Sequence, residues 1–309
     1  MPTTAGLHHV TAFAGDPRRH GHFYKNVLGL RLVKRTVNFD DPRTWHLYYG
    51  DAAGSPGSLL TFFLWPHIAA GRNGMGRAVE TAFAIPDSAL GYWTHRLLAA
   101  GVDHDAPRRR FGATVLGLRD PDGLQLELVA TPGLGAVPGW SSGEIPAEHA
   151  IRGLSGVTLW LEDPAPTAGI LTGALGLRAL GEDDGRRRFV AAGALGTTVD
   201  LRPTPGFLPG RDGRGAVHHV AFRATDDVEQ EAMAAAMRDA GLRPTEQRDR
   251  HYFRSVYARE PGGVLFEIAT DAPGFLIDEP ADRLGTRLQL PAWFEPNRTT
   301  IETALPALD

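Results

Sequence analysis

The stretch His8-His9-Val10-Thr11-Ala12, running on to Phe13, returns near the other end of the chain as His218-His219-Val220-Ala221-Phe222. Each begins with a histidine pair and continues as a short apolar strand. Such self-similarity is the sequence signature of a repeated structural unit. The turns repeat as well. Pro121-Asp122-Gly123 leads into Leu124-Gln125-Leu126-Glu127, and Pro261-Gly262-Gly263 leads into Val264-Leu265-Phe266-Glu267.

Working outward, four amphipathic helical segments each stop at a glycine: Arg18 to Leu28 before Gly29, Ser88 to Ala100 before Gly101, Pro166 to Leu175 before Gly176, and Val228 to Ala240 before Gly241. Glycine just past a periodic segment is a helix stop signal. A short apolar strand precedes each helix: Leu7 to Phe13, Val79 to Ile85, Val157 to Leu161 and Val217 to Arg223. Strands rich in β-branched and aromatic residues follow, as at Trp45 to Tyr49, Thr114 to Leu118 and Ser255 to Ala258, separated by Gly, Pro and Asp turns. The pattern predicts an α+β chain of four βαβββ modules, at about 7–66, 77–131, 152–203 and 215–270. Residues 1–135 form the first half and 151–309 the second, with a C-terminal tail. The Gly- and Pro-rich stretch from Thr131 to Ala150 supplies a linker over 136–150.

The 309 residues carry 42% apolar and 22% charged side chains, ample for a packed core. A net charge of −4 gives no reason to expect nucleic acid or an anionic membrane as partner. There is no cysteine, which excludes thiolate nucleophiles, disulfides, zinc–thiolate sites and iron–sulfur clusters. The opening residues Pro2-Thr3-Thr4-Ala5-Gly6 lack the charged and apolar regions of a signal peptide. No apolar run reaches the length of a membrane span, so a cytoplasmic location is expected.

One histidine of each pair plus Glu267 makes a two-histidine, one-carboxylate set, which suits non-haem Fe(II) with open coordination positions. A lone strand histidine is usually a hydrogen-bonded core residue, but two repeated pairs and a Glu among Leu265, Phe266 and Ile268 are harder to explain that way. An isolated carboxylate there is costly to bury without a cation. Superposing the modules aligns His9 with Glu80, Gly156 and His219, and Glu267 with Glu127 and Phe62; Asp200 lies near the same position in the third module. Pairing the first module with the fourth joins His9, His219 and Glu267, with Phe62 leaving a corner open. The second and third then form a metal-free cup. Neither half alone should hold the metal. Glu127, without histidine partners, is expected in a salt bridge. Neighbouring strand residues face opposite ways, so Thr11 shares the face of His9, while His8 and His218 fall on the other side or at the rim. His20, His22, His46, His67, His95, His104 and His149 read as scattered, solvated residues.

The four-module pattern resembles the vicinal-oxygen-chelate superfamily, which includes glyoxalase I, extradiol dioxygenases and antibiotic-resistance proteins. Across nearly the whole chain it is similar to the hydroquinone-type ring-cleaving dioxygenases. The resemblance is carried by Leu7-His8-His9-Val10-Thr11, Arg31-Leu32-Val33-Lys34-Arg35-Thr36-Val37-Asn38, His46-Leu47-Tyr48-Tyr49, Gly54-Ser55-Pro56-Gly57 and Arg110-Phe111-Gly112. It continues through His218-His219-Val220-Ala221-Phe222, Asp249-Arg250, Tyr252-Phe253 and the tail from Leu290 to Arg298. It implies Fe(II), or Mn(II), on His9, His219 and Glu267, with supporting roles for Thr11, His218, Arg250, Tyr257 and His8. Substrate, a small aromatic diol, and O2 would bind side by side and yield a ring-opened acid. Arg250 would stabilise anionic oxygen, and Tyr257 or His218 would move protons. His251 stands where that family often has Gly or another small residue, which bears on pocket shape. Trp293 and Phe294 could pack on a neighbouring unit or a second copy in a homo-oligomer.

Two other classes share the fold. A glyoxalase-type isomerase or transferase normally fills four protein ligands and uses a Glu base, against which Phe62 argues. A metal-free small-molecule-binding protein generally lacks the His and Glu ligands present here.

Overall fold

The computed structural model describes residues 2–141 and 143–308, so the expected linker at 136–150 lies partly outside the described residues, at position 142. The first module runs β1 (Leu7–Ala14), α1 (Pro17–His22, prolonged by a π-turn over Phe23–Val27), β2 (Arg31–Asn38), β3 (Asp41–Gly50) and β4 (Leu59–Leu64). The second runs β5 (Arg77–Pro86), α2 (Leu90–Ala99), β6 (Arg108–Arg110), β7 (Ala113–Arg119) and β8 (Gln125–Thr131). The third has β9 (Gly153–Leu161), α3 (Pro164–Gly173), β10 (Arg178–Asp183), β11 (Arg186–Val190) and β12 (Thr198–Pro203). The fourth has β13 (Val217–Ala224), α4 (Asp227–Asp239), β14 (Arg248–Asp249), β15 (Arg254–Arg259) and β16 (Leu265–Thr270). A short α5 (Arg298–Ala304) closes the tail.

Local chemistry sets these boundaries. Asp16, Asp163 and Asp226 each accept hydrogen bonds from backbone N–H groups in the first turn of α1, α3 and α4, the ordinary N-cap arrangement. Gly29, Gly101, Gly176 and Gly241 all take positive φ just beyond the helices, a conformation that costs glycine little.

The sixteen strands form two eight-stranded sheets, ordered β14-β15-β16-β13-β1-β4-β3-β2 and β10-β11-β12-β9-β5-β8-β7-β6. At the centre of the first, β1 runs antiparallel to β13, so the first module pairs with the fourth. In the second sheet β5 pairs with β9 in the same way, joining the inner modules. The apolar core lies between the sheets and their helices, and includes Val10, Phe62, Phe83, Leu159, Phe222 and Phe266.

Strand register corrects one alignment. In the fourth module Ala221, two residues past His219, pairs with Glu267. In the first, Thr11, two residues past His9, pairs with Thr61. The fourth corner therefore belongs to Thr61, not Phe62. Phe62 points to the opposite face, where it packs against His20 and Tyr24. The same rule pairs Ala82 with Glu127 and Thr158 with Asp200.

Among the described residues, no helix is long and apolar enough to cross a membrane. Trp293 and Phe294 pack against Phe39 of their own chain, at ring separations of 5.7 and 6.1 Å. Trp293 also lies beside His251.

Candidate metal centre

His9 leaves β1, His219 leaves β13 and Glu267 leaves β16, three adjacent strands at the middle of the first sheet. Their Nε2 and carboxylate atoms converge. The two Nε2 atoms are 3.2 Å apart. Glu267 Oε2 lies 2.8 Å from Nε2 of His219 and 3.4 Å from that of His9. All three side chains are buried, and among the described residues they form the one cluster of three or more with metal-holding geometry.

The donor set fits a divalent cation. Ser255 Oγ donates to Glu267 Oε1, whereas Oε2 is buried without a hydrogen-bond partner and faces the two imidazoles. Burial alone would raise the Glu267 pKa, but His9 and His219 pull it well below the usual carboxylate range. Each imidazole also has its other nitrogen occupied. Nδ1 of His9 lies 2.9 Å from Nδ1 of His8, and Nδ1 of His219 lies 2.7 Å from Nδ1 of His218. When His9 and His219 donate through these contacts, their Nε2 lone pairs point at the carboxylate oxygen, the tautomer a metal ligand needs. Burial, then the neighbouring histidine, lowers His8 and His218 to about 3, so both are neutral acceptors.

The outer histidines differ in placement. His8 sits behind the site against Phe253. His218 lines the cavity between Phe13 and Phe63, beside a register slip in the β1–β13 pairing. Alternation alone anticipates His8, but not how far the slip turns His218 inward.

Above the triad opens a cavity of about 370 Å³. On the fourth-module side, Tyr257 pairs in register with Glu267. Its hydroxyl accepts from Arg250 Nε at 3.2 Å, and the same guanidinium donates to Asp40 at 2.9 Å. Burial, reinforced by Glu267, raises the Tyr257 pKa and keeps the phenol protonated. Thr11 pairs in register with His219, and its hydroxyl is 2.7 Å from that of Thr61.

His46 is the residue that sequence reasoning missed. It is buried on β3 and lines the cavity, with Nε2 2.9 Å from Thr61 Oγ1 and Nδ1 2.9 Å from the Tyr48 hydroxyl. Burial, then His9 and His219, hold it neutral. The alternation His46–Tyr48 against Leu47–Tyr49 was the available signal. His20 is also not solvated: it is enclosed by Tyr24, Tyr49 and Phe62, and neither ring nitrogen has a partner. His104 and His149 are half-buried, while His22, His67 and His95 are exposed as expected. His251 does not line the cavity; its ring turns to Asp278 and Tyr252.

The second sheet shows what the same positions become without histidine. Arg110 donates to Glu127 from two nitrogens and lies 3.9 Å from Asp200. Arg188 grips Asp200 with two bonds of 2.7 Å, and Arg186 pairs with Glu80 and Thr158. Guanidinium groups neutralise these carboxylates, as the salt bridge expected for Glu127 required.

Residues 6–128 and 153–268 match the Glyoxalase/Bleomycin resistance protein/Dioxygenase superfamily. The chain belongs to this superfamily. It is 43% identical to "Putative ring-cleaving dioxygenase MhqO" of Bacillus subtilis, over 98% of this chain and 96% of the relative. It is 32% identical to "Chlorohydroquinone/hydroquinone 1,2-dioxygenase" of Sphingobium indicum, over 92% and 91%. A crystal structure of a putative dioxygenase from Bacillus subtilis superposes with a TM-score of 0.96 at 41% identity, covering 100% of this chain and 99% of that one.

Proposed function

We propose that this superfamily member is a metal-dependent ring-cleaving dioxygenase that opens a hydroquinone or catechol-like ring with O2, using Fe(II), or alternatively Mn(II), on His9, His219 and Glu267. The observation that carries the reading is the unpartnered, buried Oε2 of Glu267 facing two Nε2 atoms beneath a cavity large enough for an aromatic ring. The relatives named for ring cleavage, similar over almost the full chain, support it.

A metal held there would supply redox coupling between an electron-rich ring and O2 through its open positions. The chain's own residues would do the rest. Arg250 carries a fixed positive charge at the cavity wall and stabilises a phenolate oxygen. Tyr257, held protonated, donates a hydrogen bond to developing anionic oxygen. His218, whose Nδ1 accepts from His219, would present its Nε2–H to a substrate oxygen and so orient the ring, while His46, held between Thr61 and Tyr48, shapes the cavity wall. Phe253 lies over His8 and His9 and keeps water from that side of the site. An isomerase of the glyoxalase type would need a fourth ligand, and the Thr61 hydroxyl is already engaged by Thr11 and His46.

Anaerobic Fe(II) loading followed by oxygen uptake with hydroquinones and catechols tests the proposal. Uptake that requires both iron and His219, with a ring-opened product, is the expected result. Stoichiometric metal without uptake on any ring overturns it.

A further inference from the structure

The cavity is larger than an unsubstituted ring requires, and its surplus is aromatic. An engineered protein cavity of about 150 Å³ suffices for benzene. Two ring oxygens, O2 and a metal ion add about 120 Å³ more, at about 30 Å³ for each water-sized group. Against the 370 Å³ present, about 100 Å³ stays unfilled, room for three or four further heavy atoms.

The placement of that surplus is specific. His9, Thr11 and Phe13 share one face of β1, and Phe13 pairs in register with Phe63 on β4. Trp65 follows at the end of β4. The three rings form one wall, with centroids 5.4 to 6.3 Å apart, and all three line the cavity. In strand order, β4 lies on the opposite side of the triad from β15, which carries Tyr257. The cavity is thus divided. The Tyr257–Arg250 side suits anionic oxygen. The β1–β4 side offers the aromatic faces of Phe13, Phe63 and Trp65, with the imidazoles of His218 and His46 packed beside Phe13 and Phe63 and the Asp41 carboxylate beside Trp65. Arg248, the other cation at the cavity, stands on the Arg250 side and is half exposed.

The geometry points to a substrate class: a hydroquinone bearing a branched apolar substituent of about four carbon atoms, seated on Phe13, Phe63 and Trp65. This inference rests on the ring-cleaving reading, with the oxygens of the ring turned toward the triad and Arg250. Each buried methylene favours binding by roughly 0.8 kcal/mol. Four of them, even half realised, give a preference of at least about tenfold over the unsubstituted ring.

Two measurements separate the outcomes. The first is anaerobic equilibrium binding of hydroquinone, tert-butylhydroquinone and 2,5-dihydroxybenzoate to the metal-loaded protein. The second is oxygen uptake on the same rings. The expected result is binding and kcat/KM at least about tenfold higher for the butylated ring, with the ratio falling several-fold in Trp65→Gln. Equal ratios in wild type, a preference for the carboxylated ring, or a ratio unmoved by Trp65→Gln each overturn the substrate class while leaving the dioxygenase standing. Tenfold tighter binding of the butylated ring with no uptake on any of the three overturns the ring-cleaving reading and, with it, the inference as a statement about substrate.

Discussion

His9 and His219 bring their Nε2 atoms to 3.2 Å across a sequence separation of 210 residues, because β1 and β13 are neighbours in one sheet. The metal site is therefore a product of the pairing between the chain's two ends. Divalent metal that binds only the folded state should stabilise it, by about 2.7 kcal/mol at a hundredfold excess over Kd. Thermal unfolding with and without Fe(II) should show that rise in wild type. In Glu267→Gln, which keeps the size but loses the charge, the rise should vanish. An equal rise in both proteins would place the metal elsewhere.

The second sheet offers a contrasting test. Arg110 and Glu127 are both nearly inaccessible, and Arg110 also faces Asp200. Removing one partner of a buried pair leaves an uncompensated charge, at a cost of roughly 3–5 kcal/mol. Arg110→Met should lose about that much in chemical denaturation, partly offset by Arg108, which also reaches Glu127. Arg110→Met with Glu127→Leu should recover most of it. A loss below about 1 kcal/mol for the single change would mean that the network is not structural.

Much of this architecture was legible because repeats expose it. Helix stops at Gly29, Gly101, Gly176 and Gly241 and the duplicated His-His strands encode the modules and the pairing of the first with the fourth. The cluster was legible where residue type alone marks it, at His9, His219 and Glu267, which the fold brings together. Its surroundings were not legible where a single-residue register decides the outcome. Phe62 and Thr61 are neighbours in sequence, and only the parallel pairing with β1 shows which one lies on the face of Thr11 and Phe63. His20 and His46 escaped for a related reason: their burial depends on what packs over them from other elements, which no local pattern records.

His20 makes that burial measurable. Enclosed by aromatic rings and without a partner for either nitrogen, its pKa is lowered by burial from 6.5 to about 3. The sign follows from proton binding. Above about pH 6.5 the imidazole is neutral in both states and has no effect. Below that, the unfolded chain takes up a proton that the folded one refuses, so stability falls with pH until about pH 3. At pH 5 the loss is about 2 kcal/mol, from 1.36 kcal/mol per pH unit. Urea denaturation of wild type and His20→Leu at pH 7 and pH 5 should reveal that difference in the pH dependence. Parallel pH profiles would mean that His20 finds a partner or solvent.

Arg250 has two oxygen partners in very different surroundings, and the difference yields a last prediction. Its bond to Tyr257 lies in the cavity, whereas Asp40 is 62% exposed at the β2–β3 turn. An exposed ion pair is screened and contributes about 0–1 kcal/mol. A positive group aimed at developing charge in an enclosed site contributes far more, with losses of roughly 10²–10³ in rate on removal of a comparable donor. Arg250→Gln should therefore lower kcat/KM by about that factor, mostly in kcat. Asp40→Asn should change it by less than about fivefold. Tyr257→Phe should fall between, since it removes one donor while leaving the guanidinium charge in place. Reversal of the first two effects would mean that Arg250 acts as a clasp between β14 and the β2–β3 turn and has no direct part in the chemistry.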